Sequence, residues 1–301
     1  MVDIVIVNWN SGHYLLKCIQ SILENKNEKV VNKVIIIDND STDDSLSKIN
    51  SINKILIKRN QENVGFSKAC NQGFKLCNAP FVLLLNPDAG LMDNTLQDCI
   101  SFMESNRQVD ILGCQLLDDN GKVAPSCARF PSPISFFYEA IGLSKIAPSI
   151  FRPATVMTDW DHKESKKVDQ VMGAFMFMRR SIFDKLGYFD ERFFVYFEEL
   201  DFSKRLSEIN GISFFNVNIK AFHSGEGTTH SVKAFRLFLF LRSRLQYAEK
   251  HFGKGGFLFT KLSTYFIEPI SRCLFALLKG KPGDVREVIQ AYKRLLSDSK
   301  N

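Results

Sequence analysis

The sequence predicts an α/β fold built on a doubly wound, mostly parallel central sheet, and three observations predict it. Phe81-Val82-Leu83-Leu84-Leu85 is a short, unbroken apolar run that stops at Asn86-Pro87-Asp88. That is the pattern of a strand buried on both faces of a parallel sheet. Strand-like and helix-like stretches alternate over roughly the first 90 residues, at spacings that fit βαβ units. Three of the strand-like runs end in Asn or Asp clusters, and open α/β sheets bind ligands in the crevice at the carboxyl ends of their strands.

Each element can be justified in turn. Ile4 to Val7 is a buried-strand run ending at Asn8-Trp9-Asn10-Ser11-Gly12, after which Leu15, Leu16, Ile19, Ile22 and Leu23 recur at helical spacing. Val34 to Ile37 ends in Asp38-Asn39-Asp40-Ser41-Thr42-Asp43, where Ser41 or Thr42 is placed to cap a helix holding Leu46 and Ile49. Ile55 to Ile57 is a third short strand, and Phe66 to Cys77 a small-residue helix containing Asn71 and Gly73. Pro87 has no N–H and ends the fourth strand, which delivers Asp88 at its edge. Thr95 to Met103 reads as a helix and Ile111 to Leu117 as a strand. From Pro125 to Asp169 the pattern weakens into an irregular insertion or acceptor-side loop.

Val171 to Met178 is apolar around Gly173-Ala174, and Ser181 to Gly187 is a short helix with a glycine stop. Asp201 to Ile209 is helical up to Asn210-Gly211, Ile212 to Val217 is a strand, and Ala221 to Gly227 closes the compact part. Phe235 to His251 is a basic, aromatic helix. Phe257 to Leu278 is apolar but broken by Lys261, Glu268-Pro269 and Arg272, and Asp284 caps a last helix. These shifts divide the chain into a domain over 1–230 and a helical C-terminal extension over 231–301.

The 301 residues have ordinary globular composition, 45% hydrophobic and 24% charged. Seven cysteines show no Cys-x-x-Cys pair and no zinc-like spacing, which points to free buried thiols in a reducing cytoplasm. No signal-peptide pattern opens the chain, and no apolar stretch reaches the ~18 residues that span a bilayer. The net charge of +6 is uneven: from Ser231 onward there are 14 Lys and Arg against 5 acids, and before it 25 against 28. A basic, Phe-rich tail suits nucleic acid or an anionic membrane surface.

Two groups of residues can do chemistry. Asp88 can hold a hard cation and through it a phosphate, although Asn-Pro-Asp also reads as a plain turn. Glu198-Glu199-Leu200-Asp201 follows Phe193, Phe194, Tyr196 and Phe197. Desolvation beside those rings raises a carboxyl pKa into the range of a general base. The same acids also suit the first turn of a helix. His223 reads as a metal ligand, a phosphate contact or a hydrogen-bonded structural residue. Gly225-Glu226-Gly227 lacks the third glycine and the Lys-Ser/Thr pair of the phosphate-binding loops, and no Gly-x-Ser-x-Gly elbow is present.

Taken in order, Ile6 to Gly12, Asp38 to Asp43, Asn63-Val64-Gly65-Phe66, Ala69-Cys70-Asn71-Gln72-Gly73, Leu84 to Asp88, Gly173-Ala174 with Arg179-Arg180, Gly187 to Glu191, Phe197 to Asp201 and His223 resemble the family-2 glycosyltransferases of the GT-A fold, in the rhamnosyltransferase-like branch. The resemblance covers residues from about 4 to 227, and its ordered set is far more specific than any single motif.

The resemblance implies a site. Asn8, Asn10, Asp38, Asn39, Gly65, Phe66, Asn71, Asn86, Gly173 and Ala174 would bind a nucleoside-diphosphate sugar. Asp88 and His223 would hold a divalent metal, Mg²⁺ or Mn²⁺. Glu199 would be the catalytic base, supported by Glu198 and Asp201. Asn86 stands where the family has the first Asp of its Asp-x-Asp motif, and Glu199 where it has a catalytic Asp. The processive Gln-x-x-Arg-Trp motif is absent, which implies one sugar per encounter.

The activity implied is inverting transfer of a sugar, rhamnose first, to a hydroxyl of a lipid-linked or cell-surface polysaccharide acceptor. The alternatives are another donor, such as a UDP-sugar, or a catalytically degenerate sugar-nucleotide binding protein. The expected location is cytoplasmic, peripheral on the inner face of the cell membrane through the C-terminal region, with no nucleic-acid partner. Packing of the tail on the catalytic domain or on a second subunit of a homodimer stays open beside the membrane.

Overall fold

The computed structural model describes residues 1–23, 26–49, 52–225 and 233–298. The first elements are β1 (Val2–Asn8), α1 (His13–Leu23), β2 (Val31–Asp38), β3 (Ile55–Arg59), α2 (Phe66–Phe74), β4 (Phe81–Leu85), β5 (Ala89–Leu91), α3 (Thr95–Ser105) and β6 (Ile111–Leu117). The middle of the chain holds β7 (Val123–Ala124), β8 (Cys127–Ala128), α4 (Pro133–Ala140), α5 (Leu143–Ile146), β9 (Lys166–Val168), β10 (Gln170–Val171), β11 (Phe175–Arg179) and α6 (Ile182–Leu186). Then follow α7 (Glu198–Glu208), β12 (Ser213–His223), α8 (Lys233–His251), α9 (Gly253–Leu262), a π-helical turn over Ser263–Ile267, α10 (Glu268–Leu278) and α11 (Pro282–Asp298).

The expected sheet is present, in the order β3-β2-β1-β4-β11-β6-β12-β5. β3, β2, β1 and β4 run parallel, and β11 is antiparallel to β4 and β6. β12 is parallel to β6 and antiparallel to β5. The parallel register pairs Asn8 with Asp38 and Asp38 with Arg59, so three strand ends come out at one edge. All five residues of β4 are buried, each large apolar side chain contributing about 2 kcal/mol by leaving water. Gly73 lets α2 lie directly on β1, since a Cβ there would overlap Val5 Cγ1. Asp3 is fully buried in β1 and is satisfied by the amides of Asn78 at 2.6 Å and Ala79 at 2.8 Å and by Asn32 Nδ2 at 2.7 Å.

Two expectations are corrected. The helix proposed to follow Ser41 or Thr42 does not form; residues 41–49 are a run of turns. Ser41, Thr42 and Ser45 instead bond to the end of β1: Asn8 Nδ2 donates to Ser41 Oγ at 3.0 Å and Ser45 Oγ at 2.9 Å, and the Thr42 amide donates to Asn10 Oδ1 at 2.7 Å. Ser and Asp side chains that bond locally compete with helix formation. The insertion over 125–169 is also more regular than its sequence suggests, containing α4 and α5 as well as β9.

The chain divides into two compact units. One comprises Met1–Ala128, Trp160–Glu191 and Glu198–Thr228, and holds the whole central sheet. The other comprises Arg129–Asp159, Arg192–Phe197 and Thr229–Asn301. The second unit thus takes in two stretches, 129–159 and 192–197, that the sequence division placed in the first domain. The division at 230/231, with Glu226 and Gly227, falls outside the described residues.

The second unit is helical. α8 packs on α9 and α11, and α10 on α11, around Phe238, Leu239, Leu241, Ala291, Tyr292 and Leu295. In its interior the Arg244 guanidinium bonds to both Glu268 carboxylate oxygens, and Arg272 reaches the same group at 2.7 Å. Among the described residues no helix is long and apolar enough to cross a membrane.

Candidate active site

The polar edge of the sheet is braced from within. Asn8 and Asn39 are buried, Asn8 donating to Asp38 Oδ1 at 2.7 Å and Asn39 to Asn63 Oδ1 at 3.1 Å and the Gly65 carbonyl at 3.2 Å. Asn10 and Asp40 sit in the left-handed region at φ 51° and 64°, which Asn and Asp tolerate better than most residues. These asparagines therefore shape the edge loops rather than present unpaired groups. Beside them lies a recess of about 360 Å³ lined by Asp38, Asp40, Ser41, Asp43, Arg59 and Asn60 among others. Arg59 was not picked out by its sequence context; its place in register with Asp38 at the strand edge is the signal that finds it.

Asp88 and His223 are far apart in sequence and adjacent in the fold. Asp88 immediately precedes β5, which pairs antiparallel with the end of β12 so that Ala89 lies opposite His223. His223 Nε2 stands 3.4 Å from Asp88 Oδ1, and both side chains are largely shielded. The Asp88 carbonyl accepts from the Ser224 amide at 3.1 Å. Among the described residues no group of three or more acids, histidines or cysteines could hold a metal by itself. One carboxylate and one imidazole side by side do suit a Mg²⁺- or Mn²⁺-type ion that takes its remaining ligands from water and a diphosphate.

The acidic cluster lies in the first turn of α7, so the helix begins at Glu198 rather than Asp201. Tyr196 and Phe197, directly before it, are two successive non-glycine residues at φ 70° and 72°. Such conformations cost of order 1–3 kcal/mol each and collect at functional sites.

Glu198 is buried, and both Glu198 Oε2 and Glu199 Oε2 are closed to water without a hydrogen-bond partner. Burial pushes the carboxyls of both residues above the ordinary range, Glu198 furthest because Glu199 repels its charge. The Glu199 carboxylate also accepts from its own amide, the Gly173 amide and the Glu198 side chain. Of the two, Glu198 is pushed further towards its protonated form.

Gly173 and Ala174 join the two acidic places. The Asn86 amide donates to the Ala174 carbonyl at 3.1 Å, while Gly173 donates to Glu199. A Cβ on Gly173 would stand in ordinary contact with Glu199 Oε1, at 3.4 Å, so the carboxylate lies directly against this residue. Gly65 (φ 88°) starts α2 and is buried, with Phe66 half-buried after it.

Two of the expected site residues have their polar groups engaged within the protein. Asn71 is buried with all its amide groups engaged: it donates to the Phe189 carbonyl at 2.9 Å and Glu191 Oε1 at 3.0 Å, and accepts from the Phe189 amide at 3.0 Å. It clamps the loop at Phe189 and Glu191. Asp201 is fully buried and pairs at 2.9 Å with Arg205, whose other nitrogens bind the carbonyls of Leu186 and Tyr188. Through Arg205 it anchors α7 to the chain at Leu186 and Tyr188. All seven cysteines are free thiols. Burial drives those of Cys18 and Cys70 upward, with Asp88 adding to the first and Glu198 and Glu199 to the second.

The mixed central sheet with its flanking helices is the GT-A fold of glycosyltransferases. Solved structures of that class share the fold. The mannosyltransferase PcManGT of Pyrobaculum calidifontis, solved with GDP-Man and Mn²⁺, matches 99% of this chain and 87% of its own at a TM-score of 0.57 and 14% identity. GalNAc-T7, solved with UDP, GalNAc and Mn²⁺, matches 95% of this chain and 54% of its own at 0.61 and 15%.

The chain belongs to glycosyl transferase family 2, whose model matches residues 3–187. It is 24% identical over 237 residues to the N-acetylglucosaminyl-diphospho-decaprenol L-rhamnosyltransferase of Mycobacterium tuberculosis, covering 74% of this chain and 76% of that one. It is 25% identical over 212 residues to the low-salt glycan biosynthesis hexosyltransferase Agl10 of Haloferax volcanii, covering 69% of this chain and 62% of the relative's length.

Proposed function

We propose that this chain is an inverting, non-processive glycosyltransferase that moves a sugar, rhamnose first among the candidates, from a nucleoside-diphosphate donor to a hydroxyl of a lipid-linked saccharide at the inner face of the cell membrane. The single observation that carries the reading is the Glu198–Glu199 pair: two buried carboxyls without a cation, held by the Gly173 amide beside the strand end that bears Asp88. A carboxyl with a raised pKa is a competent base near neutral pH. The identities of the relatives support rhamnose and the lipid-linked acceptor.

The residues divide the work. The recess beside Asp38 and Arg59 takes the nucleoside end of the donor. Asp88 and His223 would hold a divalent ion, which when bound supplies positive charge to the leaving diphosphate. Glu199 accepts the proton of the acceptor hydroxyl as that oxygen bonds to the anomeric carbon. The anomeric C–O bond to the diphosphate breaks on the opposite face, its electron pair leaves with the nucleotide, and the configuration inverts. Glu198 donates a hydrogen bond to the Glu199 carboxylate and so leaves Glu199 the unprotonated member of the pair.

Thermal-shift titration with a panel of nucleotide sugars and Mg²⁺ or Mn²⁺, followed by product analysis, tests this. Stabilisation by a dTDP-sugar with metal and an inverted product are expected. Binding without turnover of any donor would leave a sugar-nucleotide binding protein instead. Preference for a UDP-sugar would overturn the choice of rhamnose.

A further inference from the structure

The densest exposed apolar surface in the chain is on α9 and α10. Leu258, Leu262, Phe266, Ile270, Leu274 and Leu278 follow one another at four-residue intervals, and all are exposed, Phe266 at 67%, Ile270 at 62% and Leu278 at 83%. Phe259, Ile267 and Leu277 widen the band. The opposite face, with Thr260, Thr264, Glu268 and Ala276, is buried in the second unit.

A row at i, i+4 drifts by about 40° per step around a straight α-helix. The π-helical turn over Ser263–Ile267 takes up an additional residue per turn, and so reduces the drift where the band passes from α9 to α10. Soluble monomers rarely leave so long an apolar band uncovered without a partner for it.

The charge on this stretch names the partner. Between residues 253 and 281 the exposed charged side chains are Lys254, Lys261, Lys279 and Lys281. The one acid there, Glu268, is buried between Arg244 and Arg272. An apolar band flanked only by lysines is the composition of a helix lying in the plane of an anionic bilayer surface. A second copy of the chain fits less well, because an isologous contact would set these lysines against one another.

We propose that the exposed band of α9 and α10 seats the chain in an anionic membrane interface, which deepens, and rests on, the reading of the acceptor as lipid-linked. This narrows the membrane face. The sequence gives it to the C-terminal region as a whole, of which α8 turns Phe238, Leu239 and Leu241 into the core.

The test is flotation of the full chain with vesicles of phosphatidylcholine, with and without phosphatidylglycerol. The chain is expected to float with the anionic vesicles. The variant L262Q/F266Q/I270Q/L274Q should bind at least about tenfold more weakly with an unchanged melting curve, since all four side chains are exposed. The variant K254Q/K261Q/K279Q/K281Q should lose the preference for phosphatidylglycerol. Flotation of the apolar variant equal to that of the parent overturns the proposal, as does absence of the parent from both vesicles. A parent dimer that the apolar variant dissociates, with no vesicle binding, gives the band to a second copy instead. Transfer to a soluble acceptor should survive in the apolar variant; its absence in parent and variant alike, with flotation intact, would fault the transferase reading and leave the membrane seat standing.

Discussion

Two buried glutamate sites in this molecule have opposite chemistry. Glu268 in the helical unit lies between Arg244 and Arg272, and although burial pushes its carboxyl up, the two guanidiniums more than offset this and hold it below the ordinary range. Glu198 and Glu199 in the sheet unit are also buried, but among the described residues no cation offsets this, and burial moves both up. The residue type and the desolvation are shared; the presence of arginine decides whether the carboxyl is structural cement or a base. Buried acids cannot be sorted into these roles by burial alone.

The contrast can be broken first at Glu268. Glu268→Gln leaves Arg244 buried without its carboxylate and should cost about 3–5 kcal/mol in denaturant unfolding. A loss under about 1 kcal/mol would mean that the arginines are satisfied otherwise. Glu199→Gln should do the reverse, leaving stability intact while lowering transfer by about 100-fold or more, with donor binding close to that of the parent. Turnover that survives while donor binding is lost would place the base elsewhere.

The pH profile sharpens the comparison. Glu199 must be unprotonated to act, so the transfer rate should climb with pH through a value above the usual glutamate range of about 4.3. Glu198→Ala removes a hydrogen bond to the Glu199 carboxylate and should push that limb higher, whereas Glu198→Gln keeps a donor there and should leave it near the parent's. The smallest effect concerns stability. A carboxyl whose folded pKa lies above its unfolded one holds extra protons in the folded state, so stability falls as pH rises from the unfolded towards the folded value. Glu198→Gln should flatten that fall, by about 1.4 kcal/mol for each unit of the shift, measured as melting temperature against pH. An unchanged slope would show that Glu198 is not the proton carrier.

Where residues interact locally, the fold was readable from sequence. β4 is legible to the residue because an unbroken apolar run before Pro87 has few other uses, and Ile111–Leu117 because the turn residues Asp118-Asp119-Asn120-Gly121 follow it. The failures arise from partners distant in sequence. Nothing near Ser41 announces that Asn8 and Asn10, over 30 positions earlier, will take its hydrogen bonds and leave no helix. Asn71 looks like a ligand residue until Phe189 and Glu191 are placed beside it. Asp201 looked like a catalytic carboxylate because the sequence does not say that Arg205, one helical turn on, faces it. Asp88 reads as a cation ligand from its place at a strand end and His223 as one of three alternatives, and it is the pairing of β5 with β12 that makes them neighbours. The stretch Phe257 to Leu278 reads as a broken apolar run because its buried face carries Thr260, Thr264 and Glu268, while its large apolar side chains are on the exposed face.

The clamp at Asn71 has a consequence for how the chain can be divided. The family match stops at residue 187, yet Asn71 finds its partners at 189 and 191, and β6 is covered on one side by β12, which runs to His223. A fragment cut at the end of the match would expose a raw sheet edge and strand a buried amide. The shortest piece able to fold therefore extends at least through β12, and domain swaps among relatives should exchange their segments beyond that strand rather than at the boundary suggested by sequence similarity.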